Sequence, residues 1–253
     1  MTVVVTFLCE DGVVIAADSM MTPDVGGVHV GHHNGKKIHQ IGDSQIFAYA
    51  GDQGQAARVR SWAAELSSAS EAPIDSLPYV LGLTQSAISD FRSTGLDRDQ
   101  VDVNAVLAFH RNGAFQSCVF EGMLQPRLLD EDHYYAALGT GKLSADPFLR
   151  FLTDIFCQKG RPSVSQASLL ATWVVNHVIE TNPGGVAGPI RLAALEFCGG
   201  QVVASDLNDS VGEHSQAITS AGEALRMWRD SMQSGAAAEG ASEPPSLQKT
   251  NAN

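Results

Sequence analysis

The chain of 253 residues is 44% hydrophobic, enough to bury one sizeable core without forcing a second domain. Its 16 Lys and Arg against 28 Asp and Glu give a formal charge of -12, which repels phosphate backbones and anionic lipid and excludes a nucleic-acid or membrane-surface binder. No apolar run approaches the ~20 residues of a membrane span and the N-terminus lacks a signal-peptide pattern, so a cytoplasmic location is expected.

Taken in chain order, the apolar runs Val3–Leu8 and Val13–Ala17 around the turn Glu10-Asp11-Gly12 predict a β-hairpin that brings the chain start beside Asp18. A Gly/His/Pro-rich stretch, TPDVGGVHVGHHNG, separates it from short strands at Lys37–Ile41 and Gln45–Tyr49. Gly51 opens a helical pattern through DQGQAARVRSWAAEL, and a second helix is expected over Leu77–Arg92. The strands NAVLAFH and FQSCVF flank the turn RNGA, and HYYAALGTG reads as a strand ending in a glycine-flanked turn. DPFLRFLTDIFC and SVSQASLLATWVVNHVIET read as helices, the second capped by Ser163 or Ser165. IRLAALEF and QVVA close the inventory as a hairpin over Gly199-Gly200. Strands, two helices, strands, two helices, strands is the order of antiparallel sheets held between helical layers.

We expect one domain over 1–206, a helical extension over 207–230 and a disordered tail over 231–253, whose small, polar, Pro-containing composition cannot build a core. Cys9, Cys118, Cys157 and Cys198 are far apart without a C-x-x-C pair, so free thiols are expected rather than metal or disulfide roles. His29, His32, His33 and His39 cluster in sequence, but no Cys or paired carboxylates stand at ligand spacing, so they read as loop histidines at a cavity rim.

Thr2, the strand behind it, Gly12, VIAADS, GKK and AYAGDQGQA stand in an order and approximate spacing that resembles the β-type proteasome subunits and their bacterial relative, the HslV peptidase. The match extends more weakly to LGTGK and ETNPGG. The resemblance implies an α+β fold, a four-layer αββα sandwich of the N-terminal nucleophile hydrolase type. It also implies a threonine endopeptidase that assembles with itself as stacked rings, takes unfolded polypeptides or peptides, and works beside an AAA+ unfoldase. Removal of Met1 is expected, since Thr2 is small, with no propeptide needed.

The chemistry gives each matched residue a task. A threonine hydroxyl needs a base, and an N-terminal Thr2 carries one in its own α-amine, whose reference pKa is about 8. Lys37 is the cation that favours the alkoxide, and Asp18 the carboxylate that holds it. Gly51 is matched to the backbone donor for the oxyanion, and Thr140 to a partner of the Thr2 amine. Each has a duller reading: Lys36 and Lys37 as a solvated pair on an edge strand, Asp18 as a turn cap, Gly51-Asp52 as a capped helix start.

By the same resemblance Tyr49 lies at the base of the pocket for the residue preceding the cut bond, P1, with Met21, Gly35, His39 and Gln53 around it. That mixed set predicts cleavage after apolar residues, while the net charge predicts that acidic unfolded chains are poor substrates. No cofactor is required; the resemblance implies a structural monovalent or divalent cation held by the carbonyls of Val175, Val178 and Thr181. The carboxylate and serine that buttress the threonine in relatives have no match in VNHVIETNPGGVAGPI, where Asn176 and Asn182 stand nearby. Two other functions are weighed: a different N-terminal nucleophile amidase acting on small molecules, and a ring subunit that has lost its site.

Overall fold

The computed structural model describes residues 2–22, 24–25, 28–29, 31–69, 75–182 and 185–233. Met1, the Pro183-Gly184 part of the expected helix end and residues 234–253 of the expected tail lie outside them. The first hairpin is β1 (Val4–Leu8) and β2 (Gly12–Ala17), followed by the two-residue strands β3 (Met20–Met21), β4 (Asp24–Val25), β5 (Val28–His29) and β6 (His33–Asn34). Next come β7 (Ile38–Ile41), β8 (Gln45–Gly51), α1 (Gln53–Ser68) and α2 (Ser76–Ser93). β9 (Val103–Arg111), β10 (Ala114–Glu121), β11 (Gln125–Leu128) and β12 (Tyr135–Leu138) lead into α3 (Lys142–Phe156) and α4 (Val164–Thr181). β13 (Arg191–Cys198), β14 (Gln201–Asp206) and α5 (Val211–Gln233) end the series.

The fold is α+β, with two five-stranded antiparallel sheets ordered β12-β1-β2-β13-β14 and β11-β10-β9-β8-β7. Strands β1 and β2 are buried along their whole length, which explains why their sequences are continuous apolar runs and do not alternate. Successive side chains of β1 point to opposite faces. Val5 and Phe7 join Leu149, Leu152, Leu170 and Val174 of α3 and α4 in one apolar cluster. Val4 and Leu8 join Ile46, Ala48, Val106 and Val119 of the other sheet in a second. A third cluster packs Phe47, Leu107 and Phe120 against Val59, Ala63, Leu83 and Phe91 of α1 and α2. The layer between the sheets also buries two hydroxyls, Thr6 Oγ1 and Ser117 Oγ, which satisfy each other at 3.0 Å.

Several expected boundaries move. Gly51 ends β8 instead of opening a helix, because Asp52 caps α1 by accepting Gln55 N–H at 2.7 Å. Lys37 precedes its strand, which begins at Ile38. Helix α3 starts at Lys142, four residues before the expected Asp146, with Pro147 inside it. Strand β11 (QPRL) was not expected: proline and exposed polar residues suit a sheet edge, where one face of the strand has no hydrogen-bonding neighbour. Ala193–Asp206 pairing extends the last hairpin beyond QVVA.

The chain divides into two compact units, Met1–Val211 and Gly212–Asn253. The described part of the second is one helix whose apolar residues include Leu225, Met227, Trp228 and Met232, all exposed. Among the described residues no helix is long and apolar enough to cross a membrane.

Candidate active site

The site gathers where β2 runs out. Asp18 follows the last residue of β2, and its carboxylate turns back toward the chain start: Oδ1 accepts Val3 N–H at 2.9 Å and Oδ2 accepts Met20 N–H at 3.0 Å. Lys37 Nζ donates to both oxygens, at 2.8 and 2.9 Å. Lys37 is 2% exposed and Asp18 0%, so neither the solvated-pair reading nor the simple-cap reading describes them. Burial lowers the pKa of Lys37, opposed by the charge and hydrogen bonds of Asp18. The lysine that stays in solvent is Lys36.

Backbone bonds fix the lysine's approach. Lys37 C=O accepts Tyr49 N–H at 3.2 Å, and Gly35 N–H donates to Ser19 C=O at 2.7 Å. Ser19, 1% exposed, donates its Oγ to Pro189 C=O at 2.7 Å and its N–H to Ala187 C=O at 3.2 Å. Ser19 thus ties the segment that carries Asp18 to the 187–189 loop, a positioning role hidden in an unremarkable Asp-Ser pair.

Thr2 is half-buried in a cradle made by Gly139, Thr140 and Gly141. Thr2 N–H donates to Thr140 Oγ1 at 3.2 Å, and Thr2 C=O accepts Gly141 N–H at 3.0 Å. Gly139 has φ +83°, and a Cβ there would stand 2.3 Å from Thr2 O. A Cβ on Gly141 would stand 2.8 Å from Val3 Cβ and 2.9 Å from Val178 Cγ1. The LGTG sequence is therefore required by the close approach of the chain start. Gly51 has φ +101° and lies with its Cα face against Asp102, where a Cβ would be 2.3 Å from the carbonyl oxygen.

Between β8 and α1 lies a cavity of about 80 Å³ lined by His39, Phe47, Tyr49, Gln53, Ala56, Ala57 and Arg60. It brings together His39, Tyr49 and Gln53 of the expected pocket residues. Met21 and Gly35 do not line it; they pack on each other, Met21 filling the space a side chain on Gly35 would need. Arg60 was not anticipated, being concealed in the helical pattern of α1. Its guanidinium contacts His39 Nδ1, and the imidazole stacks on Tyr49 with ring centroids 6.0 Å apart. Burial, then the charges of Arg60 and Lys36, lower the His39 pKa to about 4, so the ring is neutral at pH 7. Larger hollows of about 420 and 380 Å³ lie elsewhere on the unit and contain neither Thr2 nor Lys37.

At the end of α4, Val175 and Val178 are buried and Thr181 is exposed. Val178 C=O already accepts Asn182 N–H at 2.9 Å and Asn182 Nδ2 at 3.1 Å, donors that a cation at that oxygen would have to displace. Asn182 Nδ2 also reaches Ser144 Oγ at 3.0 Å, joining α4 to the first turn of α3, whereas Asn176 points to Glu180. Among the described residues, three or more His, Cys, Asp or Glu nowhere gather as a metal site; His32 and His33 are exposed.

No family model matches the chain, and no curated protein matches it. Solved structures do. A mutant form of Anbu from Hyphomicrobium sp. strain MC1 matches with a TM-score of 0.70 at 18% identity, over 92% of this chain and 100% of that one. Anbu from the same strain in a second structure matches at 0.65 and 18% identity, over 95% and 100%. This corrects the resemblance to HslV and β-type proteasome subunits: the structural neighbours are Anbu, a proteasome-related family distinct from HslV. That resemblance rested on short stretches, chiefly those holding Thr2, Asp18, Lys37 and Gly51 near the chain start, whereas the structural match runs over 92% of the chain. At 18% identity the likeness establishes the fold.

Proposed function

We propose that the chain is a threonine peptidase subunit with an N-terminal nucleophile, on a four-layer αββα sandwich, that associates with copies of itself. The observation that carries this reading is the shared carboxylate of Asp18, which holds the buried Lys37 ammonium and the Val3 N–H, the amide next to Thr2, on the same oxygen. A buried ammonium beside the first residue of a strand has no structural necessity, because an apolar pair of similar volume is about as stable as a buried ion pair.

In this mechanism cleavage of the Met1–Thr2 bond frees the Thr2 amine. The amine takes the Oγ proton as Oγ attacks the carbonyl carbon of the peptide, forming a tetrahedral oxyanion that the Gly51 N–H stabilises. Collapse breaks the C–N bond, and the ammonium returns its proton to the leaving amine. Water then hydrolyses the ester, with the amine again as base. Lys37 lowers the energy of the developing alkoxide; Asp18 is a positioning residue, and Thr140 Oγ1 orients the nitrogen of Thr2.

Self-association is supported by the outer face of α3. Leu143 (87% exposed), Phe151 (56%) and Ile155 (47%) form, with exposed Pro147, an apolar row at four-residue spacing. The test of the whole reading joins intact mass, sedimentation and peptide hydrolysis. Loss of Met1, a particle larger than a dimer, and hydrolysis abolished by Thr2→Ala are expected. Hydrolysis that continues in Thr2→Ala overturns the mechanism, and a monomer at micromolar concentration overturns the assembly.

A further inference from the structure

The cavity between β8 and α1 has a polar lining of one sign. Arg60 contributes a cation, and among the described residues no carboxylate lies within ion-pair distance of it. His39 accepts from Arg60 through Nδ1, which leaves its other ring nitrogen as an N–H donor. Tyr49 is 3% exposed, and its buried hydroxyl has no hydrogen-bond partner. Buried hydroxyls are rarely left unpartnered, so a phenol in this state points to a ligand atom that completes it. Gln53 adds a carboxamide, and Phe47, Ala56 and Ala57 supply apolar walls. No acidic side chain lines the space.

We infer that this cavity takes an acidic P1 side chain, with Arg60 as the residue that determines the specificity. The inference rests on the peptidase reading and names its substrate class. The cavity is connected to the reacting end through the backbone. Tyr49 N–H donates to Lys37 C=O, and the next residue, Ala50, presents its Cβ where Gly139 comes nearest to the Thr2 carbonyl. A glutamate side chain fits a space of about 80 Å³ with its stem on Phe47 and the two alanines, and its oxygens accept from Arg60 and Tyr49. This replaces the expectation of an apolar P1, which was drawn from Tyr49, His39, Gln53, Met21 and Gly35 without the arginine. The net charge of -12 does not oppose it locally: at physiological salt exposed charges are screened beyond about 8 Å, while the guanidinium is in the cavity wall.

The test uses capped tetrapeptide-coumarin substrates identical except for P1 Glu, Gln, Leu or Lys, on the wild type, Arg60→Met and Arg60→Lys. Alongside it, calorimetry measures binding of capped peptides ending in Glu or Leu to Thr2→Ala. For the wild type, kcat/KM for Glu is expected to exceed those for Gln and Leu by about tenfold or more. The Glu-to-Leu ratio falls at least about tenfold in Arg60→Met, and Arg60→Lys, which keeps the charge, retains the order Glu over Gln. Wild type that cuts best after Leu or Lys, or a ratio unmoved by Arg60→Met, overturns the inference while leaving the peptidase reading intact. If no substrate is cut but Thr2→Ala binds the Glu-ending peptide at least about tenfold more tightly than the Leu-ending one, the peptidase reading fails and the acidic subsite stands. Equal binding with no cutting overturns both.

Discussion

Asp18 Oδ1 accepts two donors, Lys37 Nζ at 2.8 Å and Val3 N–H at 2.9 Å, so one oxygen positions both the cation and the peptide group adjoining Thr2. Moving either donor disturbs the other. Replacing Lys37 by Met keeps the aliphatic stem and removes the charge, leaving the buried Asp18 side chain with only two backbone donors. Breaking a buried pair this way costs about 3–5 kcal/mol. We predict a lower denaturation midpoint by that order and a fall in kcat/KM of about 100-fold or more, measured at a temperature where the variant remains folded. Normal turnover in folded Lys37→Met would remove the lysine from the mechanism.

The cradle under Thr2 separates a local strain effect from a positioning effect. Gly139→Ala places a methyl 2.3 Å from Thr2 O and must shift the nucleophile, whereas Gly199→Ala has an equally unfavourable φ of +60° but meets nothing within 4 Å. Gly199→Ala is predicted to cost about 1–3 kcal/mol of stability, and Gly139→Ala more, because there the backbone of Thr2 must also move. Only Gly139→Ala should lose activity, by about 100-fold, since misplacement by about 1 Å is enough. Thermal melts and peptide turnover on the two variants check this; equal activities contradict it.

Thr140→Val removes the acceptor for Thr2 N–H without changing the shape of the side chain. Turnover is predicted to fall about tenfold and to be restored by Thr140→Ser, which keeps an oxygen at the same place. Failure of the serine to restore it would mean that Thr140 acts through packing alone.

The hairpin and the helices were legible because they depend on short-range signals, apolar runs and turns, whereas Thr2, Asp18 and Lys37 were singled out by the order of matched motifs, and of these the structure brings Asp18 and Lys37 into contact. What escaped depends on contacts between distant segments. Gly139 and Gly141 look like turn glycines, and only the arrival of Thr2 across the sheet shows that a side chain cannot be accommodated. Arg60 is one of several polar residues on α1, and nothing in its neighbours reveals that it reaches His39 on β7. Ser144 and Asn182 meet only because α3 begins a turn earlier than its proline suggested.

His39 gives the pH dependence. Its folded pKa is about 4, against an ordinary value near 6.5, with burial the leading cause. Between those values the unfolded chain binds a proton that the folded one does not, so stability falls as pH drops through that window and is fully present above it. Solvent screening of a partly exposed ring limits the loss to about 1 kcal/mol. Denaturation at pH 7.5, 6, 5 and 4 should show this slope in the wild type and a shallower one in His39→Gln; parallel curves would refute it.

In the proposed mechanism one residue, Thr2, supplies both nucleophile and base. A peptide epoxyketone tests it directly, because Oγ adds to the ketone and the α-amine opens the epoxide, closing a six-membered ring only where both groups belong to the same residue. Mass spectrometry after incubation is predicted to show a chain lacking Met1, increased by one inhibitor mass, with the modification on the Thr2-containing peptide and absent from Thr2→Ala. A chain that retains Met1, stays unmodified and still hydrolyses peptides would contradict that mechanism.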